Sequence, residues 1–368
     1  MMKRVLVIMN TLSMGGAETF VMKVFRTLDK ERVVFDFLIN NKKNNFYEDE
    51  VAALGGKVFF GISKSKNPIK SFSFIKNTVN NQHYTTVFVV AVHPLGFLDL
   101  LAAKLGGANN IVVRSTTSKR GGLLSVLLAH CCRVFIRLLS DTMIAPSIEA
   151  GRWLFGNSAI KKGKVLLLKN GIDTGAFVFD KDKRQVLRES LHLSSKNILV
   201  GHIGRFSKVK NHKKILDTFS KLKEKEPNAR LALVGDGEDK EWAIQYTESL
   251  GLSQFVFFLG LRTDIPDLLC AFDVMIFPSF YEGMPNTIIE AQAVDLPCVL
   301  SDTITKDVQV TGNVSFLSLN ESDEAWAQKC LGVIKKQRVD RTKMISDSGY
   351  SIRNTVDTLT SLFCGGRP

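Results

Sequence analysis

Short apolar runs alternate with amphipathic helical patterns along the whole chain, and this alternation restricts the fold more than any other feature. The runs are continuously apolar, which is typical of parallel strands buried on both faces. Strands that alternate with helices form doubly wound α/β folds. Strands are predicted in two series, residues 4–9, 33–39, 57–60, 86–92, 111–114, 142–145 and 165–168, then 198–203, 230–234, 255–258, 273–277, 298–300 and 315–317.

Two domains are predicted, because 368 residues exceed one ordinary core. Turn residues at 170–173 and a charged segment at 180–184 separate the two series of strands. We expect an N-terminal domain over residues 1–170 and a C-terminal domain over residues 171–368, with the last helix a candidate to pack back on the N-terminal domain. The two sheets are expected to face each other across a cleft, where ligands bind in such folds.

The net charge of +13 is concentrated in the first half of the chain. Residues 1–170 hold 24 Lys and Arg against 10 Asp and Glu, whereas residues 171–368 hold 25 against 26. The asymmetry indicates an anionic partner for the first half, and nucleic acid, an anionic bilayer surface and a phosphate-bearing acceptor all have the required charge. A generally basic chain with solvated lysines is the alternative. Nucleic acid is not expected, since no recognised binding module is present.

The six cysteines lack the spacing of a metal site and lie in apolar segments. This pattern indicates reduced thiols in a cytoplasmic protein and predicts neither disulfides nor zinc. No apolar run is long enough to span a membrane. The basic and apolar N-terminus is interpreted as a first strand, because it is short and lacks a cleavage site.

Two segments predict a phosphate site. Gly15 and Gly16 precede the first helix, where free amides favour an anion, although such a pair is more often only a tight turn. In the second series, Arg205 follows a strand that ends near Gly204, and Lys210 lies before the next helix. Two cations and a helix N-terminus can neutralise a diphosphate without a metal ion. A solvated basic loop is the alternative for this second segment.

Two glutamates follow the strand at residues 273–277. Glu282 lies in the loop after that strand, and Glu290 lies within a helix that is otherwise apolar. A carboxylate among apolar residues needs a partner, and ligand hydroxyls are good candidates.

The sequence resembles the GT-B glycosyltransferases of family 4, and among them the capsular and exopolysaccharide transferases. The motifs that carry the resemblance occur in the same order, Gly15-Gly16-Ala17-Glu18-Thr19-Phe20, Asn170-Gly171-Ile172-Asp173, Gly204-Arg205-Phe206, Lys210-Asn211-His212, Val234-Gly235-Asp236-Gly237, Phe258-Leu259-Gly260, Pro278-Ser279 and residues 282–290. The resemblance implies a retaining, metal-independent hexosyltransferase without a cofactor. Its donor would be a nucleotide-sugar, with UDP as the nucleotide, and its acceptor a glycan or a polyprenyl-linked sugar.

The resemblance also implies the roles of individual residues. Arg205 and Lys210 would bind the donor diphosphate, and Glu290 the ribose hydroxyls. Glu282 would contact the transferred sugar as a catalytic residue. His93 matches a catalytic histidine near that sugar, although a structural histidine is equally compatible with the sequence. Further donor-binding residues are Gly16, Gly283, Met284, Pro285 and Asn286.

Two features depart from the family pattern or from simple expectation. Asp295 follows Val294 where the family has a small residue and a glycine, which leaves the end of that helix uncertain. Asp180-Lys181-Asp182 resembles a metal-binding motif but lies between the domains, so we interpret it as solvated charge.

An apolar helix over residues 123–137 has cations at both ends. Such a helix can lie in an anionic interface, which suggests peripheral contact with the inner face of the cell membrane. A buried helix of the first domain is the alternative. Two other functions fit the fold, namely a nucleotide-sugar epimerase and a catalytically silent partner subunit. The epimerase does not explain the two glutamates, and silent partners usually lose the charged groups that this chain retains.

Overall fold

The computed structural model describes residues 2–13, 15–41, 46–64, 66–91, 94–116, 123–335 and 337–366, and for residues 94 and 123–130 it describes the backbone alone. The chain divides into two compact units. Unit 1 comprises the residues up to Gly171 and those from Gly349 onward. Unit 2 comprises Ile172–Ser348.

Unit 1 is built on a parallel sheet. Its described strands are β1 Lys3–Met9, β2 Val33–Ile39, β3 Val58–Phe60, β4 Thr86–Ala91, β5 Asn110–Ser115, β6 Thr142–Ala145 and β7 Val165–Leu167. They lie in the order β3-β2-β1-β4-β5-β6-β7. The helices of unit 1 are α1 Gly16–Thr27, α2 Glu48–Ala53, α3 Pro68–Asn81, α4 Phe97–Leu105, α5 Leu123–Leu139, α6 Ile148–Phe155 and α7 Asn157–Lys161.

The sheet of unit 1 is buried on both faces, which explains its continuously apolar strands. Val5 and Val7 belong to one core cluster, whereas Leu6 and Ile8 belong to another. Because successive side chains of a strand point to opposite faces, each face has its own core.

Unit 2 is built on a second parallel sheet. Its helices are α8 Lys181–Ser190, α9 His212–Lys225, α10 Lys240–Ser249, α11 Ile265–Ala271, α12 Asn286–Ala293, α13 Asp323–Val333 and α14 Thr342–Ile345. Its described strands are β8 Ile198–Ile203, β9 Ala229–Val234, β10 Val256–Gly260, β11 Val274–Phe277, β12 Cys298–Ser301 and β13 Val314–Leu317. The strand order is β10-β9-β8-β11-β12-β13.

The last helix, α15 Ile352–Phe363, packs in unit 1 against α1 and β5. Its apolar side chains join the core cluster that contains Val5. The Phe363 ring centroid lies 5.6 Å from that of Phe35 and 5.4 Å from that of Phe88. The end of the chain therefore completes the first unit.

The prediction of two doubly wound parallel sheets is confirmed, and every predicted strand segment overlaps an observed strand. Among the described residues, no helix is both long and apolar enough to cross a membrane.

Candidate active site

The strand order of unit 2 reverses between β8 and β11, and the loops that leave these strands lie at one edge of the sheet. The two strands are parallel neighbours, with Val200 opposite Val274. Their carboxyl ends therefore bring residues 204–211 and residues 278–285 together. Ligands bind at such reversal points in doubly wound sheets. This edge is the candidate active site.

Two hydrogen bonds tie these loops together. The Phe280 N–H donates to the Val209 carbonyl oxygen at 2.9 Å. Asn211 Nδ2 donates to the Pro278 carbonyl oxygen at 3.2 Å. Asn211 has a φ of 56°, in the left-handed region that asparagine tolerates better than most residues, and its side chain caps α9. These contacts fix the spacing of the two loops.

Lys210 and Glu282 are in direct contact at this edge. Lys210 Nζ lies 2.6 Å from Glu282 Oε1, and the two side chains are 18% and 17% exposed. The ammonium group also lies 4.5 Å from the Phe277 ring centroid, a cation–π contact. The sequence predicts both residues for the site but gives no sign that they pair. A phosphate can replace Glu282 as the partner of Lys210, and a hydroxyl can replace Lys210 as the partner of Glu282.

Arg205 follows the end of β8 and is bound to Glu238. Arg205 Nη2 lies 2.9 Å from Glu238 Oε2, and the side chains are 71% and 57% exposed. A hydrogen bond from its own backbone N–H, together with Arg205, lowers the pKa of Glu238. Exposed ion pairs contribute little stability, so Arg205 can turn to a ligand at small cost. Glu238 was not predicted, since nothing in its local sequence links it to Arg205.

Two glycines hold the backbone after β8 in place. Gly235 has a φ of 137° and Gly237 a φ of 152°, which L side chains rarely adopt. A Cβ atom at Gly235 would overlap the Gly204 carbonyl oxygen, and one at Gly237 would overlap the Phe206 carbonyl oxygen. The Phe206 N–H donates to the Asp236 carbonyl oxygen at 3.0 Å. The glycines after β9 thus allow close backbone contact with the segment that carries Arg205.

Glu290 lies in the second turn of α12 and is only 6% exposed. Its neighbours Ile288, Ile289 and Ala291 are fully buried. Glu290 is thus a buried carboxylate of the helix that follows the loop carrying Glu282.

Two buried histidines lie beneath Lys210. The rings of His202 and His212 are 5.2 Å apart and edge-on, and His212 stacks on Phe206 at 4.2 Å. Burial and the Lys210 charge lower the pKa of His212 to about 4, and burial lowers the pKa of His202 well below its ordinary value. Both rings are therefore neutral near pH 7. Sequence analysis did not predict this pair, although a histidine inside the apolar run at residues 198–203 was an available signal.

The family described as glycosyl transferases group 1 matches residues 183–351. EpsF of Bacillus subtilis (strain 168), which is named as a glycosyltransferase, is 33% identical over 98% of this chain and 96% of its own length. The chain belongs to the group 1 glycosyltransferases. It is thus an enzyme of the class that its sequence predicts.

Another relative and a solved structure are similar to most of this chain. An Escherichia coli UDP-Gal:alpha-D-GlcNAc-diphosphoundecaprenol alpha-1,3-galactosyltransferase is 28% identical over 73% of this chain and 72% of its own length. Anabaena HepE, solved in complex with UDP-glucose, matches with a TM-score of 0.74 and 17% identity, over 97% of this chain and 99% of its own. The predicted GT-B fold is confirmed.

Two predicted site residues of this glycosyltransferase belong to unit 1. Gly16 begins α1, and a side chain there would meet nothing within 4 Å. A side chain at Gly15 would instead overlap the Glu18 carboxylate, which accepts a hydrogen bond from Thr11 Oγ1 at 2.7 Å. Packing therefore explains why position 15 is a glycine, whereas position 16 has room for a side chain. His93 lies outside the described residues.

The other predicted donor residues lie between Glu282 and Asn286, the first residue of α12. Gly283, Met284 and Asn286 are half-buried, and Pro285 is buried. This loop connects the glutamate that pairs with Lys210 to the helix that carries Glu290.

Asp295 stands at the end of α12, where the family pattern has a glycine. Asp295 has a φ of 56°, and the Leu296 N–H donates to the Ala291 carbonyl oxygen at 2.9 Å, as in a glycine-capped helix. Its buried carboxylate lies 3.1 Å from Lys335 Nζ and 2.9 Å from Arg341 Nε. Aspartate therefore ends the helix and also anchors Lys335 and Arg341.

The segment that resembles a metal-binding motif starts a helix instead. Asp180 Oδ1 caps α8 by accepting the Asp182 N–H at 2.8 Å and the Lys183 N–H at 3.1 Å. Across the part of the chain that the structure describes, no three His, Cys, Asp or Glu side chains are grouped as metal ligands.

Proposed function

We propose that this glycosyltransferase moves a sugar from a UDP-sugar to a glycan or polyprenyl-linked acceptor in capsule, exopolysaccharide or O-antigen synthesis. The contact between Lys210 and Glu282 at the strand reversal of unit 2 carries the proposal. The E. coli relative, which is named for a UDP-Gal donor and a diphosphoundecaprenol acceptor, supports this choice of substrates. The complex of HepE with UDP-glucose supports the same nucleotide.

The donor diphosphate replaces Glu282 at Lys210 and Glu238 at Arg205. Both exchanges favour the ligand, because a diphosphate offers several charged oxygens to each cation. Two cations on one edge neutralise the leaving diphosphate, so no metal ion is required for that role. Glu290 accepts hydrogen bonds from the ribose hydroxyls.

The released Glu282 accepts hydrogen bonds from hydroxyls of the transferred sugar. The bond between the sugar C1 and the diphosphate oxygen breaks, and a bond from C1 to the acceptor oxygen forms on the same face. The acceptor proton passes to the departing diphosphate oxygen, and configuration is retained. Glu282 and the cations act by positioning and by charge, without a covalent intermediate.

A thermal-shift panel tests the donor site. UDP, GDP, ADP and their common sugar conjugates are added with EDTA to the wild type and to Glu290→Ala. A ligand that binds the folded state raises the melting temperature by mass action. We expect a rise with the UDP series that is smaller in Glu290→Ala. If none of these nucleotides raises the melting temperature at millimolar concentration, the proposed donor site is wrong.

We also propose that the enzyme is cytoplasmic and that its unit 1 contacts an anionic membrane surface through α5. Its exposed apolar stripe has helical spacing and consists of Cys131, Val134, Phe135 and Leu138. Leu138 is 75% exposed and Phe135 50%. Arg137, three positions after Val134, carries a positive charge beside this stripe that can reach headgroups.

Sedimentation with phosphatidylglycerol vesicles at low salt tests this contact. Leu138→Glu removes apolar area and adds a negative charge, so it should lower the bound fraction severalfold. Val186→Glu, at a residue 68% exposed in unit 2, is the matched control and should leave binding unchanged. Equal binding of both variants would exclude the α5 stripe as the contact.

A further inference from the structure

Arg114 is a fully buried arginine at the carboxyl end of β5. Its side chain is 1% exposed, its guanidinium lies 3.7 Å above the Phe20 ring of α1, and Nη2 donates to Asn170 Oδ1. Arginine has five N–H donors. Within the described residues, this bond to Asn170 is the only one that Arg114 donates, and its buried Nε has no partner.

Arg114 has no counter-charge among the described residues, unlike comparable buried groups. Asp36 pairs with Arg4 at 3.2 Å, and Arg188 pairs with Asp273 at 3.1 Å. For Arg114, burial alone lowers the pKa to about 9. A buried charge without a partner is costly, so a fold that keeps one has a use for it.

Arg114 lies where a ligand-binding side chain is expected in this type of fold. It lies where β5 ends, at the sheet edge where doubly wound folds bind ligands. The planar guanidinium fork is suited to phosphate oxygens. The first half of the chain, which contains Arg114, carries 24 Lys and Arg against 10 Asp and Glu. This excess attracts anions to unit 1.

We propose that Arg114 is an oxyanion subsite of unit 1 and binds a phosphate group of a substrate. The inference rests on the proposed transfer reaction, in which both the donor and a polyprenyl-linked acceptor carry phosphate. It assigns to unit 1 a second phosphate contact, in addition to Lys210 and Arg205 of unit 2.

Thermal shift with inorganic pyrophosphate tests the subsite in the full chain. Arg114→Met replaces the guanidinium by an apolar chain, and Arg152→Met, at an exposed arginine on α6, is the matched control. Pyrophosphate should stabilise the wild type and Arg152→Met alike, and the apparent Kd should rise about tenfold or more in Arg114→Met. Without ligand, Arg114→Met should melt no lower than the wild type, because it removes an uncompensated charge.

An unchanged pyrophosphate response in Arg114→Met would overturn the subsite, and a lower melting temperature without ligand would then leave Arg114 a structural role. If Arg114→Met does not fold, Arg114→Lys provides the test. Lysine keeps the positive charge but lacks the planar fork of guanidinium N–H donors. Arg114→Lys should also bind pyrophosphate more weakly, and wild-type affinity would contradict the proposal.

Two further ligands identify the source of the phosphate. Loss of the farnesyl diphosphate response with a retained UDP response in Arg114→Met would assign the subsite to the acceptor. Loss of the UDP response would assign it to the donor. If UDP stabilises the wild type and Arg114→Met changes the response to none of the three ligands, this inference alone is rejected and the proposed function stands.

Discussion

Lys210 and Arg205 supply positive charge to the candidate site near pH 7, whereas the buried His202 and His212 are neutral there. His202 and His212 lie close to Lys210, and a third cation there would be repelled by it. Because both histidine rings are neutral, they add no positive charge next to Lys210. We infer that the histidine pair supports the loop and does not transfer protons.

This arrangement predicts a pH dependence of stability. The pKa of His212 is about 4 in the folded protein against 6.5 ordinarily. Between these values the unfolded chain binds more protons, so the free energy of unfolding falls as the pH decreases from 6.5 towards 4. In urea unfolding, His212→Phe keeps the stack on Phe206 and should reduce the loss between pH 7.5 and 5 by about 2 kcal/mol.

The matched control is His83→Asn, at an exposed histidine of unit 1. Its pH profile should follow that of the wild type. Parallel profiles for wild type and His212→Phe would show that His212 does not carry the effect.

The sequence predicts which residues form the site better than it predicts their partners. Arg205, Lys210 and Glu282 stand in recognisable strand-to-helix segments. The partner of Lys210 lies 72 positions away, and that of Arg205 lies 33 positions away. Local patterns carry no information on such contacts, so neither pair was predicted.

At the scale of elements, the strands were predictable because the parallel sheets are buried on both faces. The run at residues 33–39, for example, is apolar apart from Asp36, which is fully buried and accepts a hydrogen bond from Tyr84 at 2.7 Å. The close contact between the loops after β8 and β9 was not predictable, since it depends on the exact backbone path of Gly235 and Gly237.

The contact between these loops predicts a large difference between two glycine substitutions. Gly235→Ala forces a Cβ onto the Gly204 carbonyl oxygen, so it should destabilise unit 2 by at least about 2 kcal/mol and weaken UDP binding. Gly251→Ala, with a φ of 70° and open space around it, should cost only about 1 kcal/mol and leave UDP binding unchanged. Urea unfolding and calorimetric titration measure both effects, and equal losses of affinity would contradict the role of Gly235.

At the scale of the whole molecule, the end of the chain stabilises the unit that contains its beginning. Asn110 Nδ2 donates to the Leu362 carbonyl oxygen at 2.9 Å across 252 positions, and Phe363 packs on Phe35 and Phe88. The sequence offers an amphipathic last helix but does not identify the partner of its apolar face.

Shortening one buried side chain of that helix should therefore destabilise unit 1. Phe363→Ala removes a fully buried ring and should lower the free energy of unfolding by about 3 to 5 kcal/mol. Leu105→Ala, at a residue 58% exposed in the same unit, is the control and should change stability by less than about 0.5 kcal/mol. A similar small effect of both substitutions in urea unfolding would argue against the packing of α15.

The most direct test of the donor site compares the two lysines of the 3-10 helix Lys208–Lys210, which precedes α9. Lys210 pairs with Glu282, whereas Lys208, two positions earlier, is exposed. Calorimetric titration with UDP should show an affinity at least about tenfold weaker for Lys210→Met, because a charge-assisted hydrogen bond is lost, and an affinity within about twofold of wild type for Lys208→Met. Equal UDP affinities of Lys210→Met and the wild type would contradict the assignment of this edge of unit 2 as the donor site.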